Sequence, residues 1–198
     1  MHLFLAAAFT IVLLASPAYP DDHGFETTSQ GMIEALSSKS APAEPGRTRS
    51  WSSIATPGRT IKVVKKEQGK MVEEWVPVYQ TEVSPSVNLR IEFDVSSYCI
   101  RPDSIKLLNE LGKALTSERL RGKVYFVNGH TDSDGSEAYN LILSMNRAQA
   151  VKEYLVANHK IQADRLKVVG YGEALPLVPN TTVSNKQLNR RVEVEAVP

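Results

Sequence analysis

Cys99 is the only cysteine among 198 residues, so no disulfide can form within the chain. Charge is missing where a chain ordinarily carries it: residues 1–20 contain no Lys, Arg, Asp or Glu. Long hydrophobic runs are also missing. The most apolar stretch, residues 3–15, falls short of the ~20 residues that span a bilayer, and no cysteine follows it to take a lipid. Ended by Ser16-Pro17-Ala18, it has the length of a signal-peptide core with small residues before the cut, and a signal peptide is expected over residues 1–18. No transmembrane segment is expected in the chain that remains. A formal net charge of +1 lacks the excess that bulk nucleic-acid binding needs. His130, Asp132 and Asp134 alternate, but no second cluster of His, Cys or acid supplies the three protein ligands usual for zinc. No serine sits in a Gly-x-Ser-x-Gly setting. Catalytic residues, a metal and a cofactor are therefore not expected.

What is present is unevenly distributed. Residues 19–57 are rich in Ser, Thr, Pro, Gly and Ala, with few large apolar side chains to offset the entropy of ordering, and a flexible linker is expected there. The stretch 27–66 is predominantly basic, without a periodic apolar face, and reads as a solvated segment. Within 58–85, two β-rich runs, 59–66 and 71–79, flank Glu67-Gln68-Gly69-Lys70, the composition of a hairpin turn. A lone hairpin is marginal in water, so this one should pack on the following domain or on a partner.

From 87 to 198 the pattern is that of a folded domain. Leu89, Ile91, Phe93 and Val95 alternate with polar residues, the period of a strand with one buried face. Pro102-Asp103 opens a helix whose Ile105, Leu108, Leu111 and Leu115 recur at threes and fours. A strand is expected at 124–127, a second helix at about 137–158 with Ala138, Leu141, Met145, Ala148, Val151 and Leu155 as its stripe, and strands at 166–169 and 192–196. The fold class is α+β: two layers, with two main helices on one face of a four-stranded mixed sheet whose other face is wet.

The polar motifs cluster at the end of the second strand and along the helix that follows. In order they are Gly129-His130-Thr131-Asp132, Tyr139-Asn140, Leu143-Ser144, Arg147-Ala148, Gly170-Tyr171-Gly172-Glu173 and Asn189-Arg190-Arg191-Val192-Glu193. This series resembles the OmpA-like peptidoglycan-binding domain shared with peptidoglycan-associated lipoproteins and flagellar stator proteins, over about the last 112 residues. The resemblance implies a periplasmic protein, associated with the cell wall and outer membrane, that holds the peptide stem of peptidoglycan noncovalently through diaminopimelate. Asp132 then meets the ligand's ammonium and Arg147 grips its carboxylate. Phe93, Asp94 and Leu143 line the same pocket, and Thr131 and Asn140 support it. Structural alternatives stay open: helix capping for Asp132 and Thr131, and a salt bridge for Arg147. Arg190 and Arg191 are expected in a structural ion pair, and His130 as a hydrogen-bonded structural residue at the strand end. Where the family carries Gly-Arg-Ala, this chain has Asn185-Lys186-Gln187, and Asn is expected to keep the left-handed turn of the glycine. Two rival readings of function remain: an envelope scaffold that recruits an outer-membrane or envelope protein through its N-terminal segment, and a wall hydrolase.

Overall fold

Alternating Val and Glu in residues 192–196, and β-branched runs at 60–64 and 166–169, favour extended backbone, whereas the Leu- and Ala-rich stretches favour helix. The computed structural model describes residues 25–38, 60–77, 84–94 and 96–197. The signal peptide, most of the linker, Val95 and the outer ends of the hairpin runs lie outside these residues. Strands β1 (Thr60–Glu67), β2 (Lys70–Pro77), β3 (Ser86–Leu89), β4 (Tyr125–His130), β5 (Leu166–Gly172) and β6 (Val192–Ala196) form one mixed sheet in the order β2-β1-β5-β4-β6-β3. Among the described residues four α-helices accompany them: α1 (Ser29–Ser37), α2 (Ile105–Thr116), α3 (Glu137–His159) and α4 (Val183–Asn189). β4 and β5 are parallel, joined by α3 as a crossover, and the other strand-to-strand pairings are antiparallel, while Phe25 adds an isolated parallel bridge to Asn88 of β3. Among the described residues no helix is long and apolar enough to cross a membrane.

The α+β reading holds, with the main helices packed on one face, but the sheet has six strands instead of four. The added pair is the hairpin β1–β2. Gln68 and Gly69 have φ of 49° and 81°, the two positive angles of a type I′ turn. β1 docks on β5 through Val64↔Gly170 and Lys65↔Val169.

Three further expectations are corrected. Residues 29–37 lie in the stretch read as flexible linker, yet they form α1. Thr28 caps it by accepting from the Gly31 N–H at 3.1 Å, and Met32 and Leu36 are fully buried in the main core with Leu108 and Leu111 of α2. The strand expected from Leu89 to Val95 begins and ends earlier. The Ile91 N–H donates to the Leu89 carbonyl at 3.0 Å, a tight turn that takes the chain out of the sheet while Ile91 remains buried. The face opposite the helices is not simply wet either. Ile61, Val63 and Val169 form a second small core there with Phe126, Tyr171 and Leu175.

The layers meet closely at the C-terminal ends of β4 and β5. A Cβ on Gly129 would lie 2.0 Å from the Ser144 carbonyl oxygen, one on Gly170 2.8 Å from that of Leu141, and one on Gly172 3.0 Å from the Leu141 nitrogen. Glycine at these positions lets α3 rest almost directly on the strands. The Ser144 hydroxyl clamps the contact, accepting from the Gly172 N–H at 2.9 Å and donating to the Leu141 carbonyl at 2.8 Å.

Candidate functional site

β4 ends at His130, and the chain must turn to enter α3. Thr131 N–H donates to the Gly172 carbonyl at 2.9 Å, Asp132 Oδ1 accepts from the Asp134 N–H at 3.0 Å, and Gly135 takes φ of 101°. Ser136 caps the helix by accepting from the Tyr139 N–H. The capping role considered for Asp132 and Thr131 thus falls to Ser136. Asn140 points its amide back at this loop, donating to the carbonyls of Asp132 (3.3 Å) and Asp134 (3.1 Å) and to the Glu173 carboxylate (2.6 Å).

Against the loop lies a cleft of about 490 Å³, and all seven expected side chains line it: Phe93, Asp94, Thr131, Asp132, Asn140, Leu143 and Arg147. The buried Arg147 stacks its guanidinium on the Phe93 ring, 5.0 Å from the centroid, and donates through Nε to the Ser97 carbonyl at 3.1 Å. No carboxylate forms an ion pair with it among the described residues, so the salt bridge considered for it is not made there. Burial lowers its pKa, with Arg190 pushing the same way and Tyr139 and Asp132 opposing. The Thr131 hydroxyl is buried and has no hydrogen-bond partner among the described residues.

Arg190 forms the ion pair expected of it, but inside this cleft. Its Nη1 donates to Asp132 Oδ2, and the two side chains are 41% and 9% exposed respectively. Sequence spacing gave no sign of this contact between residues 58 apart. Arg191 also lines the cleft but is buried, and it donates to Asn88 Oδ1 at 3.0 Å and the Leu175 carbonyl at 3.2 Å. Burial brings it down to about 10, against the pull of Glu193.

Two nearby expectations change. Asn185-Lys186-Gln187 is not a left-handed turn but part of α4, whose cap Thr182 accepts from the Asn185 N–H at 3.1 Å. The retained cation is used: Lys186 Nζ meets Asp134 Oδ1 at 2.6 Å and ties α4 to the loop after β4. His130 is buried and stacked on Tyr171, with ring centroids 5.3 Å apart. It makes no well-aligned hydrogen bond among the described residues, and its Nε2 lies 3.4 Å from Glu193 Oε2. Burial drives its pKa down to about 4, so the ring is neutral at pH 7. Burial would raise Glu193, but the contact with His130, the charge of Arg191 and a bond from Ser86 bring it down to about 2. No group of three or more His, Cys, Asp or Glu side chains is placed to hold a metal among the described residues.

Comparison with known proteins adds to this geometry. The OmpA family matches residues 92–190. Outer membrane porin F of Pseudomonas aeruginosa is 38% identical over 112 residues, which are 55% of this chain and 31% of the porin. The peptidoglycan-associated lipoprotein of Agrobacterium fabrum is 33% identical over 115 residues, 58% of this chain and 63% of the lipoprotein. A MotB-like protein from Desulfovibrio vulgaris shares the fold, with a TM-score of 0.50 at 23% identity over 69% of this chain and 78% of that one. The chain thus spans under a third of the porin's length and under two thirds of the lipoprotein's.

Proposed function

This chain belongs to the OmpA family, and from that premise we propose that it binds peptidoglycan noncovalently and is held by it at the cell wall of the periplasm, without acting as an enzyme. The ligand group is the free end of a diaminopimelate side chain in the stem peptide. That end is an amino-acid head group, with an ammonium and a carboxylate on one carbon. The observation that carries the reading is the presence of Asp132 and Arg147 in a single cleft, one to receive each charge. A planar guanidinium can grip a carboxylate through two bonds. The ammonium takes the place of Arg190 on Asp132, and the released Arg190 then stands beside Arg147 as a second donor to the carboxylate. Thr131, with its unpartnered hydroxyl, and Asp94 supply polar groups at the wall of the cleft. Phe93 and Leu143 pack on the ligand's methylenes, and Asn140 holds the loop that carries Asp132. The relative named as a peptidoglycan-associated lipoprotein supports peptidoglycan as the class of ligand.

Titration of the purified protein with a diaminopimelate-containing stem peptide tests this. Each charge-assisted bond is worth ~1.5 to 3 kcal/mol, so Asp132→Ala and Arg147→Ala should each bind at least roughly tenfold more weakly while keeping the wild-type circular dichroism spectrum. A wild-type protein that ignores the peptide, or folded variants that bind unchanged, would sink the reading.

A further inference from the structure

β2 is the terminal strand of the sheet, and Val76 is its only residue that is even partly covered. Three of its exposed side chains are large and apolar: Trp75 is 63% exposed, Met71 50% and Val72 40%. The hairpin register fixes which backbone groups face outward. Glu67 and Lys70 close the two-residue turn as a hydrogen-bonded pair, so Lys70, Val72 and Glu74 direct their N–H and C=O toward β1. Those of Met71, Glu73 and Trp75 are left on the outer edge. A long edge with apolar side chains is a template for another strand.

We propose that β2 pairs antiparallel with β2 of a second copy of this chain, about a two-fold axis through Val72. Opposed residues in an antiparallel pair lie on the same face of the sheet, so a two-fold pairing must centre on one residue that meets itself. Centring on Lys70, Glu73 or Glu74 sets like charges together. Centring on Met71 gives no charge a partner. Centring on Trp75 or on Val76 puts Pro77, which has no N–H, into the ladder. Only the Val72 centre complements the sequence. It sets Lys70 opposite Glu74 twice, and Lys70 has no ion-pair partner among the described residues. It also brings Trp75 opposite Gly69, where the missing side chain leaves room for the indole. The outward groups of Met71 and Glu73 then exchange hydrogen bonds, and Val72 meets Val72 as the closely spaced, non-bonded pair. Glu73 and Glu74 keep their bridges to Lys62 and Lys65 within the hairpin, which leaves each carboxylate free to accept a further cation at its outer side.

Sedimentation equilibrium of the purified protein should show a reversible dimer. Lys70→Glu opposes Glu to Glu twice, and Glu74→Lys opposes Lys to Lys twice, so each variant alone should dimerise roughly tenfold or more weakly. An equimolar mixture of the two makes every opposed pair complementary again and should restore the dimer. In a Cys99→Ser background, Val72→Cys should yield a disulfide-linked dimer on mild oxidation, whereas Trp75→Cys, facing Gly69, should not. A monomeric wild type, a mixture that associates no better than its components, or equal cross-linking at positions 72 and 75 overturns the proposal. No wall ligand enters the experiment, so its outcome is independent of the cleft.

Discussion

Neutral His130 is held in the core by stacking on Tyr171 rather than by good hydrogen bonds, and this has a cost in acid. Its pKa falls from about 6.5 in the unfolded chain to about 4 in the folded one, so between these values the unfolded state binds the extra proton. Stability conferred by the neutral ring is present above pH 6.5 and is lost as pH falls toward 4, at up to ~1.4 kcal/mol per pH unit. Urea denaturation of wild type at pH 7 and pH 5 should differ accordingly. His130→Phe, which keeps the stacking, should remove most of that difference; an unchanged slope in the variant would contradict the assignment. His130 also marks how far residue identities carried the reading. That Thr131, Asp132, Asn140, Leu143 and Arg147 share one cleft was legible because a loop and the helix following it bring them together almost regardless of tertiary detail, whereas Phe93 and Asp94, on the segment after β3, were placed there only by the family resemblance. Arg190 on Asp132 was not legible. It depends on β6 lying beside β4, which no local pattern encodes.

At the scale of elements, the least legible was α1. Its nine residues contain few apolar side chains, and composition alone placed them in a linker. The signal that could have revealed them is local: Thr28 as a cap, followed by Met32 and Leu36 four residues apart on one face. Because Leu36 is fully buried with α2 residues, Leu36→Ala should cost ~2 to 5 kcal/mol, read as a lower urea midpoint with the same slope. A loss below 0.5 kcal/mol would show that α1 is only loosely attached. β3 was misplaced for a related reason. Alternation of Leu89, Ile91 and Phe93 satisfies a strand and also a turn that buries Ile91 and turns Phe93 toward Arg147, and period alone cannot separate them. The hairpin was read correctly from its turn chemistry, while its docking edge on β5 required the fold.

For the whole molecule, two layers set the spacing of the cleft: Asp132 follows β4 and Arg147 rides on α3. Their separation is fixed where Gly129, Gly170 and Gly172 meet the helix backbone, and a packed interface of this kind has little compliance. Gly129→Ala would set a methyl against the Ser144 carbonyl. It should destabilise the fold by ~1 to 3 kcal/mol or more and, in the molecules that remain folded, weaken stem-peptide binding although no cleft side chain has changed. A variant with wild-type stability and affinity would show that the layers part more easily than their contact implies. The gap between sheet and helix therefore works as a gauge block. If the proposed head group binds there, a bulkier one would be accommodated by shimming the layers apart at Gly129, Gly170 and Gly172 rather than by trimming the residues that touch it.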